Sequence, residues 1–191
     1  MALAVPPSTL LIVGDSLSAG YGLKQNTGWV DLLQQRLQTK QINYRVINAS
    51  ISGETSSGGQ VRLQSLIKQY QPNAIILQLG ANDGLRGLPI VVFRGNLDAM
   101  IKSALASKSK LLLVGVRLPI NYGKAYREKF QAVYEELAQN NGIPLVPSLL
   151  AGIETKRELF QADGIHPSEM AQRMLLENVW SQLQPQLTRT P

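Results

Sequence analysis

The sequence predicts a three-layer α/β/α fold around a central, mostly parallel five-stranded sheet. Short segments that are apolar at nearly every position alternate with segments of helical periodicity along the whole chain. Continuously apolar strands are typical of parallel sheets, whose connecting helices cover both faces. Because right-handed crossovers bring all the strand C-terminal ends to one edge, we expect a ligand site at that edge.

Five strands and five helices account for this alternation. The predicted strands cover residues 9–13, 44–47, 74–79, 111–114 and 145–146. Four helices are predicted from apolar residues at helical spacing: Trp29, Leu32, Leu33 and Leu37; Leu63, Leu66, Ile67 and Tyr70; Leu97, Ile101, Ala104 and Leu105; and Phe130, Val133, Tyr134 and Leu137. Pro72 and Gly142 mark the ends of the second and fourth of these. A last helix is predicted from Pro167, as its first residue, to about Gln182.

Length and composition exclude several classes of protein. A chain of 191 residues favours one domain over residues 1–191. The absence of cysteine and the single histidine exclude disulfides, thiolate nucleophiles and histidine-rich metal sites. No apolar run approaches the roughly 18 residues of a membrane-spanning helix. The segment from Met1 to Pro7 lacks the charged and apolar regions of a signal peptide, so we expect none in this chain.

The net charge is +6, and much of it falls in one stretch. Between residues 102 and 129, Glu128 is the only acid among seven basic residues: Lys102, Lys108, Lys110, Arg117, Lys124, Arg127 and Lys129. A solvated basic surface is the favoured interpretation. The alternative is a patch that attracts anionic lipid or a phosphate-bearing substrate, which would give transient contact with a lipid surface. We expect no nucleic-acid partner, since aromatic and basic residues are not interleaved.

Polar and glycine-containing clusters follow the predicted strands. The first, second, third and fifth strands lead to these clusters: Gly14-Asp15-Ser16, Ser52-Gly53-Glu54, Gly80-Ala81-Asn82 and Asp163-Gly164-Ile165-His166. Because they follow strands of one parallel sheet, we expect all four at the same edge.

Ser16, His166 and Asp163 form a workable set for nucleophilic catalysis. A serine hydroxyl needs an adjacent base, and His166 is the only histidine. Asp163 precedes it by three residues and would orient the imidazole. Each element also has a simpler interpretation: an Asp-Ser pair caps a helix, Asn82 tolerates a left-handed turn, and Gly53 is a backbone hinge. All four clusters together favour catalysis.

The four clusters resemble the sequence blocks of the SGNH hydrolases, also called GDSL esterases. Gly14-Asp-Ser-Leu-Ser18, Ser52-Gly-Glu-Thr55, Gly80-Ala-Asn-Asp83 and Asp163-Gly-Ile-His-Pro167 occur in the family's order over almost the whole chain. The resemblance implies a flavodoxin-like fold and chemistry without a metal or organic cofactor. It also implies an oxyanion hole made by the backbone N–H groups of Ser16 and Gly53 and the side-chain amide of Asn82.

More narrowly, the chain is similar to a bacterial branch of multifunctional thioesterases, lysophospholipases and arylesterases. Residues 48–55, 82–87 and 117–123 carry this similarity, and Ala81 departs from it where the branch has a second glycine. In that branch the segments corresponding to Leu85 and to Leu118-Pro119 border an acyl groove. Leu17, beside Ser16, is a further candidate for substrate contact. Ordinary packing is an equal alternative for these residues.

The resemblance implies hydrolysis of a small acyl ester or lipid: fatty acyl thioesters, lysophospholipids or aryl esters. It also implies a periplasmic or secreted enzyme after removal of a signal peptide. Two alternatives stay open: a carbohydrate acetylesterase with the same site, and a non-catalytic binding module that keeps the fold. The sequence leaves the oligomeric state open, with a monomer as the working expectation.

Overall fold

The computed structural model describes residues 6–188 and confirms the predicted α/β architecture. One sheet of five parallel strands has the order β2-β1-β3-β4-β5. The strands are β1 (Ser8–Gly14), β2 (Tyr44–Asn48), β3 (Ala74–Gln78), β4 (Lys110–Val114) and β5 (Leu145–Val146). Met1–Val5, on which part of the signal-peptide expectation depends, lie outside the described residues.

Helices cover both faces of this sheet. Within residues 6–188 they are α1 (Ser16–Ala19), α2 (Trp29–Thr39), α3 (Ser56–Tyr70), α4 (Ala81–Leu85), α5 (Ile90–Ala106), α6 (Lys124–Asn141) and α7 (Gln172–Thr188). Helix α2 packs against α7, whereas α5 packs against both α3 and α6. As predicted, α3 ends before Pro72, and α6 ends at Gly142 in the left-handed conformation.

The core lies on the two faces of the central strands. Leu10, Leu11, Ile12 and Val13 of β1 are completely buried, and every residue of β3 is buried. Burial on both faces explains why these segments are apolar without alternation. Strand β2 lies at the edge and is only half-buried, which matches its more polar sequence.

The prediction for the last helix is wrong at both ends. Pro167 does not begin it but pairs with Phe160 in an isolated antiparallel bridge, so its backbone is extended. A 3-10 turn (Glu169–Ala171) follows, and α7 begins only at Gln172. The helix also continues past Gln182, because Leu183 and Leu187 are buried against the core.

The basic stretch does not form one continuous patch. Lys110 opens β4 at one edge of the sheet, whereas Arg117 follows the far end of the same strand. The Lys124 Nζ lies 3.8 Å from the Glu128 Oε1, and the Arg127 guanidinium donates to the Leu118 carbonyl oxygen at 2.9 Å. This distribution favours the solvated interpretation. Among residues 6–188 no helix is long and apolar enough to cross a membrane.

Candidate active site

Strand β1 delivers Ser16 to the C-terminal edge of the sheet. Ser16 is the first residue of α1, and Asp15 caps this short helix by accepting the Leu17 N–H at 3.0 Å. The Leu17 carbonyl oxygen in turn accepts from the Trp29 indole N–H at 3.1 Å. The capping interpretation of Asp15 is therefore correct. The same cap fixes the backbone that presents the Ser16 hydroxyl.

Ser16, His166 and Asp163 are brought together from distant parts of the chain. The Ser16 Oγ lies 2.9 Å from His166 Nε2, and His166 Nδ1 lies 2.7 Å from Asp163 Oδ2. The other carboxylate oxygen, Asp163 Oδ1, accepts the backbone N–H groups of Ile165 at 2.9 Å and of His166 at 3.0 Å. The Asp163 loop is therefore closed on itself by hydrogen bonds to one carboxylate.

These hydrogen bonds fix the charge and the tautomer at the site. The backbone N–H and the side chain of His166, both bonded to the carboxylate, lower the pKa of Asp163 to about 2. An ionised carboxylate accepts the proton at His166 Nδ1. In the neutral ring, a proton on Nδ1 makes Nε2 the acceptor that faces the Ser16 hydroxyl at 2.9 Å, which is the arrangement that a general base requires.

Gly53 and Asn82 flank Ser16 because β1 lies between β2 and β3 in the sheet. Gly53 follows β2 with a φ of +80°, and Asn82 lies in α4 directly after β3. Asn82 is helical, so its interpretation as a left-handed turn residue is wrong. Its Nδ2 donates to the Glu54 carbonyl oxygen at 2.9 Å, which leaves the second amide N–H for another acceptor.

Two backbone N–H groups near the Ser16 hydroxyl are also available as hydrogen-bond donors. The N–H groups of Ser16 and Gly53 donate to no acceptor within the described part of the chain. Together with the free N–H of Asn82, they are the three groups that the family resemblance assigns to an oxyanion hole.

Asp83 joins the loop of Gly53 to the helix of Asn82, a contact that the sequence did not reveal. The buried Asp83 carboxylate accepts the Ser56 backbone N–H at 2.8 Å and its hydroxyl at 2.5 Å. Asn96 donates to the same hydroxyl at 3.0 Å. The proximity of Asp83 to Asn82 in sequence was a signal, but its partner Ser56 becomes visible only in three dimensions.

Asp15 places a second buried carboxylate behind the nucleophile. Its side chain is completely buried, and burial raises its pKa to about 6. Within the described residues its Oδ2 meets no donor in hydrogen-bonding geometry, although the nearby Gln78 amide partly counteracts the rise in the pKa. Gln78 is held by the Ser18 hydroxyl, which donates to its Oε1 at 2.5 Å.

Residues 12–174 match the GDSL-like lipase/acylhydrolase family, a span that contains all of these side chains. This chain belongs to that family. The curated relatives and solved structures most similar to it include enzymes that are named for ester hydrolysis.

Three relatives cover nearly the same length. The chain is 49% identical to esterase TesA of Pseudomonas aeruginosa over 94% of this chain and 89% of that protein. It is 42% identical to thioesterase 1/protease 1/lysophospholipase L1 of Escherichia coli over 95% of this chain and 86% of that protein. It is 40% identical to an arylesterase of Vibrio mimicus over 91% of this chain and 87% of that protein.

A solved structure shows the same fold with an inhibitor. The psychrotrophic esterase EstA from Pseudoalteromonas sp., inhibited by monoethylphosphonate, aligns with a TM-score of 0.89 at 38% identity. The alignment covers 95% of this chain and all of that one.

The Gly-Ala-Asn block of the family has a steric basis here. Gly80 has a φ of +123°, and a Cβ at this position would lie 2.2 Å from the Tyr134 hydroxyl oxygen. That hydroxyl donates to the Leu79 carbonyl oxygen at 2.8 Å, so Tyr134 is not free to move away. Ala81, the departure from the branch pattern, opens α4, where alanine is well suited to helical backbone.

The predicted substrate-contact residues divide by burial. Leu17 is 7% exposed and Leu118 is 4% exposed, which favours packing roles for both. Leu85 is half-buried, and its carbonyl oxygen accepts the Tyr122 hydroxyl at 2.9 Å. Pro119 is exposed beside Ile120, which is 82% exposed. Substrate contact stays a prediction for all four residues: Leu17, Leu85, Leu118 and Pro119.

Proposed function

We propose that this chain is a serine hydrolase that cleaves acyl esters and thioesters through an acyl-enzyme on Ser16. The observation that carries the proposal is the 2.9 Å contact between Ser16 Oγ and His166 Nε2, with Asp163 at the other imidazole nitrogen. A serine placed in this way is a nucleophile with an adjacent, oriented base. The intact set also weighs against a non-catalytic binding module.

The reaction proceeds by two acyl transfers. Ser16 Oγ bonds to the substrate carbonyl carbon while His166 Nε2 accepts the hydroxyl proton. The bond to the leaving alcohol or thiol then breaks, and His166 returns the proton to it. Water attacks the acyl-enzyme by the same path, which releases the carboxylic acid and restores the Ser16 hydroxyl. Asp163 stabilises the imidazolium in both halves.

The developing oxyanion is bound by Ser16 N–H, Gly53 N–H and the second amide N–H of Asn82. What supports this role is that these donors meet no other acceptor among residues 6–188, and that two contacts hold the segments that carry them. The Glu54 carbonyl oxygen accepts the Asn82 amide, and Asp83 accepts the N–H of Ser56, which follows the loop of Gly53. Preorganised donors stabilise the charge without reorganisation in the transition state. No step requires a metal or an organic cofactor.

The proposed substrates are fatty acyl thioesters, lysophospholipids and aryl esters. The names of the three relatives support these classes, since they include an esterase, a thioesterase/lysophospholipase and an arylesterase. A periplasmic or secreted location is proposed from the family resemblance. Cell fractionation with an antibody to the chain would test it.

Ser16→Ala tests the nucleophile. We expect near-complete loss of p-nitrophenyl ester hydrolysis with an unchanged circular dichroism spectrum, whereas the exposed Ser57→Ala should keep full activity. An activated alkylphosphonate ester should lose its leaving group and add the phosphonyl mass to a peptide that contains Ser16. Activity retained in Ser16→Ala, or labelling elsewhere, would refute the assignment.

Parallel assays with an acyl thioester, a lysophospholipid and an acetylated sugar would separate the proposed substrates from those of a carbohydrate acetylesterase.

A further inference from the structure

Tyr21 contacts both the Ser16 segment and the His166 ring of the proposed active site. Its backbone N–H donates to the Ser16 carbonyl oxygen at 3.2 Å. Its ring centroid lies 4.5 Å from that of His166, with the two planes inclined by 39°. Tyr21 is 52% exposed, so its contact with His166 lies at the surface of the protein.

Gln161 holds Tyr21 in this position. The Gln161 side-chain amide donates to the Tyr21 carbonyl oxygen at 2.7 Å and approaches the Pro167 carbonyl oxygen at 3.2 Å. Its backbone N–H donates to the His166 carbonyl oxygen at 2.7 Å. One residue therefore fastens the segment after α1 to the loop that carries the histidine.

We propose that Tyr21 is a positioning residue that supports the His166 imidazole and stabilises its protonated form through the face of the aromatic ring. The inference rests on the proposed function, since it concerns the base of that reaction. A cation within about 6 Å of an aromatic ring is attracted to the ring quadrupole. His166 becomes a cation when it takes the Ser16 proton, so the ring favours the transition state over the resting state.

Other groups around the imidazole remain the same when Tyr21 is changed. Asp163 bonds to Nδ1, and Ser16 faces Nε2. The Asp15 carboxylate interacts with His166 electrostatically, and Arg157 lies beside the Gly164 turn of the same loop. A difference between Tyr21 variants therefore reports the ring and not these charges.

The test compares Tyr21→Leu and Tyr21→Phe by full pH–rate profiles with an aryl ester. In Tyr21→Leu, we expect the acid limb of kcat/KM to move to lower pH by about half a unit, because the protonated imidazole loses its stabilising contact. We expect kcat to fall about two- to fivefold with little change in KM. Tyr21→Phe keeps the ring and should restore both. Tyr70→Leu, at the opposite edge of the sheet, is the matched control.

A second variant removes the hydrogen bond from Gln161 that holds Tyr21 and keeps the Tyr21 ring. Gln161→Leu removes the amide that holds the Tyr21 carbonyl oxygen and should shift the profile in the same direction, by less. A Tyr21→Leu profile that coincides with the wild type, with only KM raised, would overturn the inference and make Tyr21 a substrate contact. Such a result leaves the role of Ser16 intact, which the Ser16→Ala variant tests separately.

Discussion

The buried carboxylate of Asp15 should make the protein less stable as the pH rises from acid to neutral. Its pKa is about 6 in the folded chain against an ordinary value of 3.8, because burial penalises the charged form. Between these two values the folded state binds more protons than the unfolded state. The free energy of unfolding therefore decreases as the pH rises through this window.

The size of the decrease follows from the two pKa values. The gap between 3.8 and about 6 corresponds to about 3 kcal/mol by pH 7, at 1.36 kcal/mol for each pKa unit. Asp15→Asn removes the charge and keeps an oxygen that accepts the Leu17 N–H. The variant should therefore lack this decrease, while all other titrating groups contribute equally to both proteins.

Urea denaturation of the two proteins at intervals from pH 4 to pH 8 measures the effect. We expect the difference in unfolding free energy, variant minus wild type, to rise by about 2.5 kcal/mol across this range, because a small part of the effect is already present at pH 4. Parallel curves for the two proteins would refute the reasoning, because they would mean that Asp15 ionises equally easily in the folded and unfolded chains. A rise that continues well above pH 6 would mean that the pKa of Asp15 in the folded chain is higher than about 6.

Three further substitutions test the site and its support. Asn82→Ala should lower kcat by about 10²–10³ with the fold intact, and a kcat within threefold of wild type would exclude it as an oxyanion donor. Asp163→Asn should lower kcat by up to about 10⁴, since the imidazole loses its orienting carboxylate. The pKa of Asp163, held near 2 by its bonds to His166, predicts that its stabilising effect is present above pH 3.8 and is lost only as the pH falls through 2. An acid denaturation midpoint unchanged in Asp163→Asn would contradict this. Gly80→Ala should lower the thermal midpoint, because its Cβ would overlap Tyr134; an unchanged midpoint would show that Tyr134 can move.

The sequence predicted the sheet well because strands buried on both faces are apolar at nearly every position. Residues 74–78 are apolar apart from Gln78, and the structure buries every one of them. The start of the last helix could not be read in the same way. Proline is common at the first helical position, but Pro167 is held extended by its bridge to Phe160, a contact that the sequence pattern does not contain.

The candidate site likewise contains residues that the sequence predicted and residues that it did not. Ser16, Asp163 and His166 could be proposed because chemistry requires a base for the serine and the chain has one histidine. Asp15 gave a different signal, that of a helix cap, and its burial as a carboxylate depends on packing between β1 and β3. Tyr21 gave no signal, since nothing in its spacing places its ring beside His166.

The position of His166 depends on its own loop more than on the sheet. Strand β5 lies at the edge of the sheet farthest from β2, so the chain must return across the sheet before it reaches Ser16. It does so in a long segment with little regular structure, which is closed internally: the Ser168 N–H donates to the Leu159 carbonyl oxygen at 2.7 Å, beside the Phe160–Pro167 bridge. Long loops of this kind in compact domains usually carry function. Substitutions that loosen residues 155–166 of this segment should therefore change kcat before they change the unfolding free energy, because its completely buried side chains, Leu149 and Ile153, come earlier.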